Sequence, residues 1–340
     1  MVSHAEERLP EKSKGQQLTG DSLARFAQKN ASQLGIIGVF IILWLFYFFA
    51  APETFRSSDI YAAFMLSVPF FGIVALPLTM LIIAGEIDLS FPSIMAIGTI
   101  TFIEVFDITG NVWLSFFACL LAGFGVGALN GLIVVKIGIP SLIATIGTQF
   151  FWRGMVLVVR EGRSAVLVEP KNSALGDLLV GKINNFWPAQ VIWFLFIAIV
   201  VWFLLNRHVF GAHVYLIGDN ENSARLMGIN VGRTKIILFG IVGVTAAFAG
   251  LLSSLQVANF FSTLGEGHLM TTLASVFLGG TSVFGGVGSV LGTFIASFII
   301  GSINGGIVAV GLTGFYTQLI YGLIITASVA MHTILRKRLG

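Results

Sequence analysis

Long apolar runs without a charged residue recur along the whole chain. A helix needs about 20 mostly apolar residues to cross a bilayer. The stretch from Gly267 to Leu335 is too long for one helix, and turn signals at Thr281–Gly288 and Gly311–Gly314 divide it. The pattern predicts an all-α, polytopic transmembrane helical bundle of about ten spans. These spans are expected near residues 33–51, 61–84, 91–107, 112–135, 141–159, 188–205, 236–256, 269–284, 289–309 and 316–334.

The composition favours a membrane protein. Of the 340 residues, 56% are hydrophobic and 10% are charged, and the mean hydropathy is +0.93. Soluble domains carry about 25% charged residues, so this chain could not cover a water-exposed surface. The net charge of +3 is spread over several loops and both termini, which argues against a nucleic-acid-binding face and leaves membrane lipid as the expected surroundings.

The positions of Lys and Arg predict the orientation, because these residues are enriched in short cytoplasmic loops. Both termini are expected in the cytoplasm, since an even number of spans returns the basic C-terminal end to the side of the N-terminus. The chain then divides into a cytoplasmic tail at 1–32, one transmembrane domain at 33–335 and a basic cytoplasmic tail at 336–340. The largest internal loop, at about 206–235, is also expected in the cytoplasm.

No motif in the sequence indicates chemistry on covalent bonds. The chain lacks a GxxxxGK[ST] phosphate-binding loop, an HExxH motif and a Cys/His cluster, so we expect no catalytic residue, no metal site and no cofactor in it. The single cysteine, Cys119, lies in an apolar run, where a small packing residue is its expected role.

Several polar side chains lie inside predicted spans, where they must face protein or water rather than lipid. They are either interhelical hydrogen-bonding groups or the lining of a pathway. The segment Ala84–Ser93 carries Glu86 and Asp88 in a loop with no balancing base. It is either a turn in which Asp88 or Ser90 caps the next helix, or a broken helix beside the pathway. Arg153, close to a span end, is expected to snorkel. The candidate lining residues are Asp88, Asn130, Thr145, Thr148, Gln149, Gln256, Asn259 and Asn304.

The loop at 206–235 contains a short predicted helix with signals at both ends. Asn220 is the expected N-cap, Glu221 and Arg225 form an i,i+4 pair, and Gly228 suits the left-handed position after the last turn. Such a helix is either a docking site for a soluble partner or a solvated surface helix. Its expected apolar edge consists of Leu226, Met227 and Ile229.

Four segments resemble the ribose/xylose/galactose-type permease family of bacterial ABC importers. GEIDLSFPS at Gly85–Ser93 is similar to the family's GGIDLSVGS. NGLIV at Asn130–Val134 and IPSLIATIGT at Ile139–Thr148 resemble the next family motif. The family's AxGGNxxAARLSGI pattern is met at several positions of 218–229, and LGGTSLFGGxGSVLGT is met almost throughout Leu278–Thr293.

This resemblance implies a permease subunit in the bacterial inner membrane that pairs with a second permease subunit, either a copy or a paralogue. It also implies cytoplasmic ATPase subunits, which carry ATP and Mg, and an extracytoplasmic sugar-binding protein that delivers a small sugar. Glu86 departs from the family motif, which has glycine there. The residues that the resemblance assigns to coupling with the ATPase are Gly218, Asn220, Glu221, Ala224, Arg225, Gly228 and Ile229.

Two other functions stay open. An ion-coupled secondary transporter would need intramembrane carboxylates as relays, and the candidates are Glu86, Asp88, Glu104 and Asp107, all near predicted span ends. A branched-chain amino-acid ABC permease is the second alternative. Within the sugar reading, a pentose, a hexose, a polyol and a furanose-like signalling molecule all stay open.

Overall fold

The computed structural model describes residues 31–184, 186–311 and 313–339 and is almost entirely helical. The helices are α1 Ala31–Ala50, α2 Pro52–Phe55, α3 Ser58–Ile83, α4 Phe91–Thr109, α5 Val112–Leu132, α6 Ser141–Arg160, α7 Val168–Lys171, α8 Ala174–Val180, α9 Ala189–Asn206, α10 Val209–Asp219, α11 Glu221–Leu226, α12 Val231–Val257, α13 His268–Leu278, α14 Val290–Ala309 and α15 Phe315–Leu339. A π-helical turn, Ile133–Ile137, extends α5. The strands are β1 Ala165–Val166, β2 Lys182–Ile183, β3 Trp187–Pro188 and β4 Asn259–Phe260.

Within the described residues, seven helices are long and apolar enough to cross a bilayer, namely α3, α4, α5 with its π-helical turn, α6, α9, α12 and α14. Shorter apolar helices lie at Gly35–Ala50, at α13 and at Phe315–Met331. Each region predicted as a span contains one of these helices. The all-α polytopic bundle is therefore confirmed, and ten crossings remain a prediction. Most of the predicted N-terminal tail, residues 1–30, lies outside the described part of the chain.

Local capping signals determine where several helices begin. Ser57 precedes α3, and its side chain accepts a hydrogen bond from the Asp59 amide at 3.1 Å. Asn111 does the same for α5, and Ser289 caps α14 through the Gly292 amide. A side-chain acceptor at this position satisfies one of the backbone donors that the first helical turn leaves unpaired.

Helix α12 lies at the centre of the bundle and packs against α3, α4 and α5. Its closest neighbour is α5, because glycines on both helices let the two backbones meet. A Cβ atom at Gly127 would lie 3.0 Å from the carbonyl carbon of Phe239 and 3.1 Å from the Cα of Gly243. Gly123 and Gly243 face each other in the same way. Lipid gives helices no hydrophobic reason to associate, so close backbone contact of this kind supplies the attraction.

Two predicted boundaries are wrong. Helix α12 was expected from residue 236 but begins at Val231, because the Asn230 side chain caps it through the Arg233 amide at 2.9 Å. Lys235, expected in the cytoplasmic loop, therefore lies inside α12. Helix α13 was expected to reach residue 284 but ends at Leu278, and the connection 279–289 is irregular.

Two irregular segments, 84–90 and 279–289, meet at one end of the bundle. The Gly286 amide donates a hydrogen bond of 2.9 Å to the carbonyl of Ile83, the last residue of α3. Gly218 of α10 packs on the same carbonyl so closely that no side chain would fit. Irregular backbone is tolerated at membrane depth only where protein encloses it, and these segments enclose each other.

The opposite end of α12 carries the small ladders. β1 pairs with β4, which follows α12 directly, and β2 pairs with β3 immediately before α9. The residues between the predicted spans at 141–159 and 188–205 include the short helices α7 and α8. The Lys171 ammonium donates to the Gln256 carbonyl at 2.8 Å, so α7 packs on this end of α12.

Candidate functional site

The predicted short helix at 220–228 is present as α11. The Asn220 side chain accepts a hydrogen bond from the Ser223 amide at 2.9 Å, as an N-cap does. Gly228 has a φ of +83°, the left-handed conformation expected just after the helix. Glu221 and Arg225 form the expected ion pair.

The apolar edge of α11 is largely free. Leu226 is 90% exposed and Met227 is 65% exposed, whereas Ile229 is half-buried and Ala224 is buried. Two adjacent apolar side chains are therefore exposed to solvent at the end of a capped helix. Gly218 belongs to α10 and contributes through backbone packing, as described above.

A buried ion cluster lies directly beside α11, and the sequence did not predict it. The Lys235 ammonium donates to the Glu86 carboxylate at 2.6 Å and to the Glu221 carboxylate at 2.7 Å. The side chains of Lys235 and Glu86 are only 10% and 11% exposed, and that of Glu221 is 38% exposed. The hydrogen bond from Lys235 holds the pKa of Glu221 below its ordinary value. The loop that carries Glu86 holds no base of its own, and the fold supplies Lys235 from α12.

These charged groups line a cavity of about 280 Å³ between α11 and the start of α12. Glu86, Glu221, Arg225 and Lys235 bring two negative and two positive charges into it, so the cavity is formally neutral. Val135 and Pro140, from the turn between α5 and α6, form its apolar wall. The cavity is thus a meeting point of four separate parts of the chain.

A second polar cluster is fully enclosed. Asp88 accepts hydrogen bonds from the amide and the hydroxyl of Ser90, at 2.7 and 2.6 Å. Asn130 of α5 donates to the Ser90 hydroxyl at 2.6 Å. All three residues have 0% exposure. Burial raises the pKa of Asp88 to about 6, although the Ser90 hydrogen bonds favour its charged form. The expected cap is wrong: Ser90 precedes α4, but its side chain bonds Asp88 and Asn130 rather than a helix amide.

Helix α6 holds the irregular segment in place through polar side chains spaced four residues apart. Ser141 accepts from the Ile87 amide and Thr145 from the Leu89 amide, both at 3.1 Å. Gln149 accepts from the Ser93 amide through its side chain and from the Ser93 hydroxyl through its backbone carbonyl. Of the two alternatives for Thr145 and Gln149, the observed contacts are those of interhelical hydrogen-bonding groups.

Within segment 84–90, the Ile87 and Leu89 amides thus bond side chains of α6 in place of a helical or strand partner. A buried amide without a partner costs about 1–3 kcal/mol, so Ser141 and Thr145 have a physical reason to be polar. Thr148, in contrast, is half-buried and bonds its own helix at the Thr145 carbonyl, 3.3 Å away.

The remaining lining candidates lie elsewhere. Gln256, at the far end of α12, accepts hydrogen bonds from Lys171 through its carbonyl and from Gln190 through its side chain. Asn259 is half-buried in β4, and Asn304 is exposed on α14. The structure therefore brings Asp88, Asn130, Thr145 and Gln149 together and leaves Gln256, Asn259 and Asn304 apart from them.

Arg153 does not snorkel to the membrane surface. It is 9% exposed and donates to the backbone carbonyls of Pro92, Ser262 and Leu264. Glu266 lies 3.5 Å from its guanidinium. Arg153 therefore ties α4 and the loop after β4 to α6, because its planar fork can serve several acceptors at once.

A bundle of membrane-crossing helices that encloses irregular, hydrogen-bonded backbone and presents a capped helix at one end has the architecture of a membrane transport subunit. Residues 60–329 match the family described as the permease component of branched-chain amino acid transport systems, and the chain belongs to this family. It is a multi-pass permease of the inner membrane.

Named relatives cover most of the chain. The ribose import permease protein RbsC of Escherichia coli K12 is 30% identical over 260 residues, which cover 76% of this chain and 80% of the relative. The autoinducer 2 import system permease protein LsrD of Klebsiella pneumoniae is 31% identical over 76% of this chain and 78% of its own. The L-arabinose transport system permease protein AraH of Escherichia coli K12 is 28% identical over 298 residues, which cover 87% of this chain and 89% of the relative. No solved structure gives a significant match.

Proposed function

We propose that this chain is the membrane-spanning subunit of an ABC importer that carries a small sugar inward. The observation that carries the proposal is the family membership over residues 60–329, together with relatives named for ribose and L-arabinose transport. The chain would make and break no covalent bond. ATP and Mg would be bound by the partner ATPase subunits.

The proposed topology has ten crossings, with both termini and α11 in the cytoplasm. The three shorter apolar helices supply the crossings beyond the seven long ones. The Lys and Arg residues around α11 support its cytoplasmic location. This places α11 and the two irregular segments on one side of the membrane and the β1–β4 ladder on the other.

The proposed partners follow from the family. A second permease subunit would complete the pathway, and an extracytoplasmic binding protein would deliver the sugar. Two ATPase subunits would dock on the cytoplasmic face, where Leu226 and Met227 of α11 are exposed. ATP binding and hydrolysis would then shift the population between inward- and outward-facing states.

A neutral sugar suits the interior of this bundle. The candidate lining is uncharged apart from Asp88, and amide and hydroxyl groups such as those of Asn130 and Thr148 recognise sugar hydroxyls by hydrogen bonds. In the described conformation Asn130 is enclosed. Any contact of Asn130 with the cargo would therefore belong to another conformation of the cycle.

The test is uptake into proteoliposomes that contain the permease, its ATPase and the binding protein encoded beside it. D-Ribose, L-arabinose and autoinducer 2 are compared with L-leucine as radiolabelled cargo. ATP-dependent uptake of one of the first three is expected. L-Leucine uptake would favour the amino-acid alternative. Uptake that persists with a hydrolysis-deficient ATPase and stops when an ionophore collapses the ion gradient would favour a secondary transporter.

A further inference from the structure

The buried ion cluster connects the exposed helix α11 to the irregular segment 84–90. Among the described residues, Lys235 joins the two by ion pairs, because its ammonium reaches Glu221 on α11 and Glu86 in the segment at 2.7 and 2.6 Å. Lys235 and Glu86 are 149 positions apart along the chain, so this link is a product of the fold.

The two carboxylates are held unequally. Glu221 is 38% exposed and also pairs with Arg225, so it stays compensated when it leaves Lys235. Glu86 is 11% exposed, and Lys235 is its ion-pair partner among the described residues. Removing one member of a buried pair leaves an uncompensated charge, which is strongly unfavourable. Lys235 and Glu86 are therefore expected to move together, and Glu221 is the end of the bridge at which a shift of α11 enters.

The position of Lys235 on α12 does not stabilise its positive charge. It lies one turn from the start of the helix, the end where the helix dipole favours anions over cations. Its side chain also bears the cost of burial. The position is explained by the two carboxylates that it joins.

The segment that Glu86 anchors leads straight into the enclosed polar cluster. The Ile87 and Leu89 amides are bonded to α6, and Asp88 binds Ser90, which binds Asn130 of α5. A displacement of Glu86 would strain all of these hydrogen bonds, because they hold consecutive residues of one short segment.

We propose that Lys235 is a positioning residue that transmits displacement of α11 to segment 84–90, so that engagement of a cytoplasmic partner at α11 alters the polar interior of the bundle. The transport part of this inference rests on the function proposed above. The physical link between the two segments does not.

The first experiment tests the link in the permease alone, in lipid nanodiscs, by hydrogen exchange of peptides covering 84–90. Glu221→Gln weakens the bridge at its exposed end, far from the segment that is measured. Exchange of the Ile87 and Leu89 amides should rise about tenfold, the effect of losing one charge-assisted hydrogen bond. Asn222→Ala is the control on the same helix, because Asn222 is exposed, and it should leave exchange of 84–90 unchanged. Unchanged exchange in Glu221→Gln overturns the proposal.

The second experiment measures ATP hydrolysis by the complete complex with and without loaded binding protein, using the cargo that the uptake assay selects. Glu86→Gln and Lys235→Met should lower the stimulation by about tenfold, and Lys235→Arg, which keeps the charge, should restore most of it. Glu104→Gln removes a different ion pair, with Arg160 at 2.9 Å, and should keep normal stimulation.

The outcomes separate the two proposals. A wild-type complex that imports none of the tested sugars contradicts the proposed function, while the exchange result still decides whether the bridge exists. Wild-type stimulation in Glu86→Gln and Lys235→Met, in a complex that does import a sugar, overturns the role of Lys235.

Discussion

Gly127 gives a sharp test of the central packing, because Gly125 on the same helix is a matched control. A Cβ at Gly127 would lie 3.0 Å from the Phe239 carbonyl carbon and 3.1 Å from the Gly243 Cα. Ordinary van der Waals contact begins at 3.4 Å. The atoms it would meet are backbone atoms of α12, which cannot turn aside as a side chain would. In Gly127→Ala, the two helices must therefore move apart.

The control isolates this effect. A Cβ at Gly125 meets nothing within 4 Å. Both substitutions gain the same helix propensity, about 1 kcal/mol for alanine over glycine. The propensity gain cancels when the two variants are compared with each other, and the cost of overpacking remains. That cost is about 1–3 kcal/mol for an added carbon in a well-packed site.

Thermal unfolding of the purified permease in detergent, followed by tryptophan fluorescence, measures the difference. Gly125→Ala should melt at or above the wild-type temperature. Gly127→Ala should melt several degrees below Gly125→Ala. Equal melting temperatures of the two alanine variants would refute the close contact between the backbones of α5 and α12.

Three further predictions concern separate contacts. Gly228→Val should abolish stimulation of the ATPase by loaded binding protein, because a β-branched residue resists a φ of +83°, while Gly228→Asn should retain it; equal activity of the two contradicts the reasoning. Asp88→Asn should raise the melting temperature above pH 6 and not below pH 4. Burial raises the pKa of Asp88 from 3.8 to about 6, so the wild type loses roughly 3 kcal/mol of its free energy of unfolding as the pH rises through that range. Melting temperatures of the wild type and Asp88→Asn that change in parallel with pH would contradict this prediction. Arg153→Lys should destabilise the protein by about 3 kcal/mol in the same melting assay, since Lys cannot serve three carbonyls in one plane; a wild-type melting temperature would show that they are dispensable.

Local signals predicted much of the helical fold. Apolar runs located the helices, and Asn220 with Gly228 marked both ends of α11 because capping depends on adjacent backbone groups. The same local reasoning explains the errors. The predicted start of α12 is later than the observed Val231, because the charges of Arg233 and Lys235 are typical of a loop. The end of α13 was set too late, since the chain already leaves the helix at Gly279 and Gly280 rather than at the later glycines.

The long-range polar contacts could not be predicted from one sequence. The pairing of Glu86 with Lys235 depends on two segments meeting in the fold, and no spacing rule encodes it. Arg153 shows the same limit. Its distance from the span end indicated snorkelling, but the carbonyls that it binds belong to distant residues, Pro92, Ser262 and Leu264. The candidate lining was likewise chosen by polarity alone, which does not distinguish a pathway from a hydrogen-bonded interior.

The contact between Gly123 and Gly243 limits which substitutions these two positions can accept during evolution. Each residue faces the other's backbone, and each is already the smallest amino acid. A larger residue on one helix is normally accommodated when its neighbour becomes smaller. Here no smaller neighbour exists, so a gain of a side chain on either helix has no second-site remedy at the contact itself. The two positions can vary only if the helices part, which ties their evolution to that of the whole centre of the bundle.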